Sequence, residues 1–279
     1  MSAHLHIATL PDEELRPAYL IGQLAGLWRE QGHRVTVGPT ARLEADVGLL
    51  HIDRTRVSGG CLPANPDRRP LLNASVLDIS KRRISTQLLS PDSVYAGPVI
   101  IKTDANAFGG PERRALPVWS LRRCRRRWSG TRWWRLVREL PRISYPVLDN
   151  LSRVPGWVWR RDDLVVERFL PEREGDEYTL RVWLFFGDQE YGARLFSREP
   201  VVKVRSITRY EYLDSVPDSL RAFRRRLGMD FGKIDYVMVD GETVPLDANK
   251  TPMVSLGRAP SPNLVRLAAG LSAYLGGNR

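Results

Sequence analysis

Two apolar-alternating runs, residues 233–239 and 243–249, flank a turn at Asp240-Gly241, and this hairpin restricts the chain more than any other feature. Side chains in a strand alternate between two faces, so a slip of one residue reverses every face. With a three-residue loop (Asp240, Gly241, Glu242), Val239 pairs with Thr243 and Asp235 lies opposite Asp247. Asn249 and Lys233 then share their face. Two carboxylates, an amide oxygen and a cation converge there, which are the hard-oxygen surroundings that magnesium takes while phosphates complete its shell. A two-residue loop puts the aspartates on opposite faces, and the alternation by itself also fits a hairpin with one solvent-exposed face.

Ahead of the hairpin the element types alternate. Residues 4–10 read as a strand, followed by a helical pattern with Leu20, Leu24, Leu27 and Trp28 on one face and Gly32 at its end. Residues 34–37 and 46–52 read as further strands, the second apolar enough to be buried on both faces. This is a βαβ-like opening on a parallel sheet, and it contains no GxGxxG dinucleotide fingerprint. Residues 63–70 form a Pro/Asn/Asp/Arg-rich boundary loop, and a helix is expected across residues 77–89. The strand Val99-Ile100-Ile101-Lys102 ends in a lysine and runs into a small-residue loop closed by Gly109-Gly110, which suits the approach of backbone N–H groups to phosphates. From residue 164 the pattern is largely β: strands at 164–167, 178–186 and 191–196, a helix with Leu220, Phe223 and Leu227 on one face, the hairpin, and a final helix across residues 264–275.

Charge is distributed unevenly. The net charge is +11, yet residues 113–142 hold eleven arginines and one acid, Glu139, so nearly all the excess lies in one segment. That segment also carries Trp119, Trp128, Trp133 and Trp134, with Trp133, Leu136, Val137 and Leu140 at helical spacing. It fits either surface helices with solvated arginines or a surface for an acidic partner such as tRNA or a carrier protein. Cys61 and Cys124 show no metal-ligand spacing, and no apolar run is long enough to span a membrane. The expected setting is the cytoplasm, with no membrane partner.

With these residues in view, the chain resembles the ATP-grasp superfamily across residues 72–252. In that family a strand ends in an acid, and twelve residues later comes an acid-x-Asn. Asp235 and Asp247-Ala248-Asn249 have this spacing. D-alanine:D-alanine ligases carry Arg-x-Asp at the first acid and Glu-Ala-Asn, then Thr-Ser-Pro, at the second; here stand Lys233-Ile234-Asp235 and Asp247-Ala248-Asn249-Lys250-Thr251-Pro252. Lys233 replaces Arg, and Asp247 replaces Glu. The chain also resembles glutathione synthetase and glutamate-ligase type carboxylate–amine ligases.

The resemblance implies an α/β fold that becomes α+β toward the C-terminus. A βαβ pre-ATP-grasp domain (1–75) would precede two α+β subdomains that clasp ATP, a central one (76–170, with the basic insertion at 113–142) and a C-terminal one (171–279) carrying the metal site. It implies that Asp235, Asp247 and Asn249 hold Mg2+, two ions being expected and Mn2+ an alternative. Lys81 and Lys102 are implied at the phosphates, and Glu167 with Phe169 and Leu170 in the hinge facing the adenine. Glu177, in Gly175-Asp176-Glu177-Tyr178-Thr179, is implied at the ribose, Lys203 as a further phosphate or substrate cation, and Lys233 and Arg181 as stabilisers of the transferring group. The implied activity is a carboxylate–amine or carboxylate–thiol ligase working through an acyl phosphate on a small-molecule or peptide acid, with release of ADP and phosphate. Two alternatives remain: a phosphotransferase that stops after the first step, and a non-catalytic nucleotide- or nucleic-acid-binding protein. His51, at the end of a candidate buried strand ahead of Asp53, is either structural or close to the acceptor.

Overall fold

The computed structural model describes residues 2–114, 133–141, 144–254 and 259–276. Strands β1 (His4–Ala8), β2 (Arg34–Gly38), β3 (Val47–Leu50) and β4 (Leu71–Leu72) form a parallel sheet in the order β2-β1-β3-β4. The helix Leu20–Glu30 crosses from β1 to β2 and buries Leu20, Ile21, Leu24, Ala25, Leu27 and Trp28, the stripe that the 3.6-residue period requires. It ends where Gly32 takes a left-handed φ of 87° and His33 donates its N–H back to the Trp28 carbonyl. All four residues of β3 are buried, as a central parallel strand demands.

A second, antiparallel sheet contains β5 (Leu88–Leu89), β6 (Val99–Thr103), β7 (Val147–Leu148) and β8 (Leu164–Arg168) in the order β5-β8-β6-β7. The helix expected across residues 77–89 is a single turn, Lys81–Ile84, followed by β5. Its backbone is bound elsewhere: Ile79 N–H goes to Thr55 O, Lys81 N–H to Asp104 O, and Arg82 N–H to Asp104 Oδ1. These tertiary partners outbid the local helical ladder. The basic segment lies mostly outside the described residues, Trp119, Cys124 and Trp128 included. Of its described end, Trp134 and Leu140 are buried, whereas Trp133 and Leu136 are exposed, because the helix Trp134–Val137 stops after one turn at a left-handed Arg138.

The third sheet is six-stranded, built from β9 (Glu172–Glu174), β10 (Glu177–Phe186), β11 (Gln189–Ser197), β12 (Ile207–Leu213), β13 (Phe231–Val239) and β14 (Glu242–Asn249). Strands β12-β11-β10-β13-β14 run in that order, and β9 pairs with β10. Alternation along β10 serves two cores. Val182, Leu184 and Phe186 pack with the N-terminal layer and the helix Pro262–Ala269, whereas Trp183 and Phe185 pack with Ile234, Tyr236 and the helix Asp218–Leu227. Each large side chain so buried contributes about 1.5–3 kcal/mol. The expected C-terminal helix breaks at Gly270, where a Cβ would meet the Phe186 carbonyl oxygen at 2.1 Å. Among the described residues no helix is long and apolar enough to cross a membrane.

Candidate active site

The hairpin reaches the expected pairing by an unexpected route. Its loop has two residues, not three: Val239 pairs with Glu242, and Asp240 and Gly241 both take positive φ (51° and 80°), as a tight primed turn requires. That register alone would set Asp235 opposite Leu246. A β-bulge between Asp235 and Tyr236 absorbs Leu246, so Tyr236 faces Pro245 while Asp235 faces Asp247 and Lys233 faces Asn249. The two aspartates therefore share a face because of a bulge. Strand β14 is the edge of its sheet, which accommodates both the bulge and Pro245.

This face looks across a cleft of about 310 Å3 toward the second sheet. Its polar lining includes Lys81, Lys102, Lys203, Lys233, Asp235, Asp247 and Asn249, and its apolar lining includes Phe169, Leu170, Ile100, Leu180, Val182 and Leu195. The loop after β6 bends over it through Ala107, Phe108 and Gly109, all at positive φ, and Asn106 Oδ1 accepts the Ala107 N–H at 2.8 Å. A phenylalanine in that region is held by its surroundings. Here its ring stacks on Tyr145 with centroids 4.1 Å apart, and Lys203 Nζ lies 4.8 Å from the Phe108 ring and 5.1 Å from that of Tyr145.

The cations are balanced internally. Lys81 Nζ donates to Asp247 Oδ1 at 2.6 Å, and Lys102 Nζ donates to Glu167 Oε2 at 2.6 Å. Lys233 Nζ sits 2.9 Å from Asp235 Oδ1 and donates to Oδ2 at 3.1 Å. Burial alone would lower the Lys81 and Lys233 ammonium groups, but the facing Asp247 and Asp235 carboxylates outweigh it and raise both. Lys203 goes the other way: burial lowers it, with Asp247 and Asp235 only partly opposing. Glu167 is buried behind Lys102 rather than in the cleft lining, and its second oxygen, Oε1, has no hydrogen-bond partner.

Two expected residues point elsewhere. Arg181 grips Glu172 of β9, its Nε 3.0 Å and its Nη2 2.8 Å from Oε1, while Glu172 Oε2 accepts the Met238 N–H at 2.9 Å. Burial raises the Glu172 carboxyl, and hydrogen bonds from Arg181 and Met238 more than reverse the shift. Glu177 accepts from Thr208 Oγ1 at 2.6 Å and from Arg209 Nε at 3.0 Å, outside the cleft lining. Conversely, Phe108 and Tyr145 shape the cleft and were not singled out. The positive-φ loop that carries Phe108 gave the only sequence signal, through Gly109-Gly110.

The donor set also bears on a metal ion. Among the described residues no group of three or more His, Cys, Asp or Glu side chains is placed to hold one. The protein's own contribution is two carboxylates and the Asn249 amide, and Asp235 Oδ1 is buried with the Lys233 ammonium 2.9 Å away. This suits a hard cation that takes its remaining ligands from phosphates.

No protein-family model and no curated protein matches the sequence. Solved structures do match over nearly the full length. The RimK-domain ATP-grasp protein of Sphaerobacter thermophilus aligns with a TM-score of 0.51 at 13% identity, covering 99% of this chain and 100% of that one. The ATP-grasp ligase PsnB, solved with a minimal precursor, gives 0.52 at 13% identity over 98% and 99%. The macrocyclase MdnC of Microcystis aeruginosa, solved with its precursor peptide, gives 0.50 at 12% over 97% and 99%. The chain has the ATP-grasp fold, an α/β architecture in which its two C-terminal sheets face one another across the cleft.

Proposed function

We propose that this protein is an ATP- and Mg2+-dependent carboxylate ligase. The observation that carries the proposal is the convergence of Asp235, Asp247 and Asn249 with four lysines in one cleft that also has apolar lining. Among that apolar lining, Phe169, Leu170 and Leu180 would suit a flat heteroaromatic base. Lys81, Lys102 and Lys203 would bind the phosphate chain, and Lys233 would stabilise charge on the transferring phosphoryl group. Asp235, Asp247 and Asn249 would hold Mg2+, which when bound neutralises phosphate charge and polarises the γ-phosphoryl group. The carboxylate of the acid substrate would attack the γ-phosphorus and release ADP, and an amine or thiol would then displace phosphate from the acyl carbon. Phe108 and Tyr145 roof the cleft and would keep water from the activated acid. MdnC, solved with a precursor peptide, and PsnB, solved with a minimal precursor, support a peptide or small-molecule acid as the substrate.

Asn249→Ala and Asp247→Asn are expected to abolish Mg2+-dependent ADP release in the presence of pooled acids and amines while far-UV circular dichroism still reports a folded protein; Asp247→Asn also takes the counter-charge from buried Lys81 and should lower the melting temperature. Full activity in both variants refutes the site. Product analysis separates the ligase from a phosphotransferase that stops after the first step: the ligase yields an amide or thioester with free phosphate, whereas the phosphotransferase leaves the phosphate on the acid. An acidic partner for residues 113–142 would show itself as binding that weakens steeply with added salt.

A further inference from the structure

A second cavity, of about 290 Å3, lies on the other side of Asn249, between the loop after β1 and the segment that follows β3. Four acids line it, Asp12, Glu13, Glu14 and Asp53, against two arginines, Arg16 and Arg54. Arg54 reaches Asp12 at 3.4 Å and Glu13 at 3.5 Å, so one guanidinium serves two carboxylates. In a chain of net charge +11, this local excess is of the opposite sign. Asp53 joins the cavity to the ATP-side cleft. Its Oδ1 accepts from Thr251 Oγ1 at 2.9 Å and its Oδ2 from Tyr19 OH at 2.8 Å, and Thr251 Oγ1 also lies 3.4 Å from Asn249 Oδ1.

An independent observation points to a ligand. His51 lines the same cavity and is 2% exposed, yet neither Nδ1 nor Nε2 has a hydrogen-bond partner. Its ring meets the edge of Tyr19, with centroids 4.7 Å apart, and the charges that act on it are Asp53 and the buried Lys250, which also feels Glu13. Leaving a buried polar nitrogen unpaired costs about 1–3 kcal/mol, and native proteins rarely do so twice on one ring. A neutral imidazole has one acceptor and one donor to offer. A ligand rich in N–H groups would satisfy the acceptor and the surrounding carboxylates together.

We infer that this cavity receives a cationic nitrogen group, a primary ammonium or a guanidinium, carried by the second substrate, with Glu13 and Asp53 as its counter-charges and His51 as a hydrogen-bond acceptor. The inference rests on the ligase reading for its role and names the substrate class that the reading leaves open. A guanidinium matches the flat, forked arrangement of paired carboxylates best.

The test uses the intact chain with 15N-labelled histidine, following the imidazole resonances while methylguanidinium, methylammonium or acetate is added at matched ionic strength. The His51 signals are identified by their loss in His51→Gln. They are expected to move saturably with the two cations and to stay in place with acetate. Glu13→Gln and Asp53→Asn should each weaken the response about tenfold or more, and Asn249→Ala should preserve it. If Asp53→Asn fails to fold, Glu13→Gln decides, because that side chain sits in a partly exposed loop. Signals that ignore both cations, that move equally with acetate, or that keep wild-type affinity in a folded Glu13→Gln overturn the inference. Because the readout needs no turnover, cation binding in a protein without ATP-dependent activity would count against the ligase alone. Turnover with a silent His51 would count against the cation site alone.

Discussion

The two cavities on either side of Asn249 treat buried charge in opposite ways. In the larger one, each lysine nearest the hairpin already has a carboxylate: Lys81 on Asp247, Lys233 on Asp235, Lys102 on Glu167. In the smaller one, the acids outnumber the lining arginines and His51 has two idle nitrogens. Three of the four lysines in the first site are paired, with Lys203 left over, and on the proposed function those pairs would have to exchange when a polyanion and its metal enter. The second has groups that a ligand would complete. Burial explains why this matters, because an ion pair in low dielectric costs little while paired and a great deal when one partner is removed.

The largest effect should come from breaking an internal pair on the ATP side. Lys81→Met leaves Asp247 without its 2.6 Å partner and removes a proposed phosphate contact. We expect kcat/KM for ATP to fall by about 10^2–10^3-fold, as loss of a preorganised charge contact does elsewhere. Steady-state ADP release checks this, and His51 imidazole resonances should respond to methylguanidinium as in the wild type. A variant that loses both together would show the cavities to be one site.

How far these sites were legible in the sequence depended on whether local pattern or distant packing set each position. Asp235, Asp247 and Asn249 were legible, since period-two alternation within one hairpin places them. The turn was misjudged by one residue, and a bulge at Leu246 restored the pairing, which no alternation rule foresees. The helix expected at 77–89 failed because Thr55 and Asp104, distant in sequence, take its backbone donors. Strands β7 and β12 went unseen, the first because two residues carry no period and the second because its middle residues are all exposed. The acidic cavity was illegible as a unit. It joins residues 12–16, 51–54 and Thr251, which only the βαβ layer brings beside the hairpin.

A smaller effect tests what Arg181 does. Its guanidinium is committed to Glu172, which is 7% exposed and also holds the Met238 N–H, so the pair ties β9 and β10 to β13. Arg181→Met leaves that carboxylate with Arg194 Nη2 at 3.1 Å and the Met238 N–H, and should cost about 2 kcal/mol of unfolding free energy, below the usual range for a buried pair because a second cation remains and Arg181 itself is partly exposed. Urea titration measures the loss, and KM for ATP should stay within about twofold, well under the tenfold that 1.4 kcal/mol would give. The converse result, unchanged stability with a collapse in kcat, would move Arg181 into the chemistry and erase the distinction between ion pairs that face the cleft and those that fasten the sheet.

The smallest effect isolates His51 and needs no ligand. Burial lowers its pKa from 6.5 to about 4, so between these values the unfolded chain binds a proton that the folded chain refuses. Where the unfolded state holds more protons, stability rises with pH, so the folded state must lose stability as pH falls through this window. At 1.36 kcal/mol per pH unit, His51 accounts for about 2 kcal/mol between pH 6.5 and 5. His51→Gln removes the titrating group, and its unfolding free energy should fall less steeply over that interval while the two curves run parallel above pH 7. Filling the cavity with methylguanidinium should carry the pH-dependent loss to lower pH, because a bound cation further disfavours protonation of the neighbouring ring. If the slopes of wild type and variant coincide, His51 is solvated in the native state and its nitrogens are not idle. The contrast between a cleft that exchanges ion pairs and a cavity that awaits a ligand would then lose its second half.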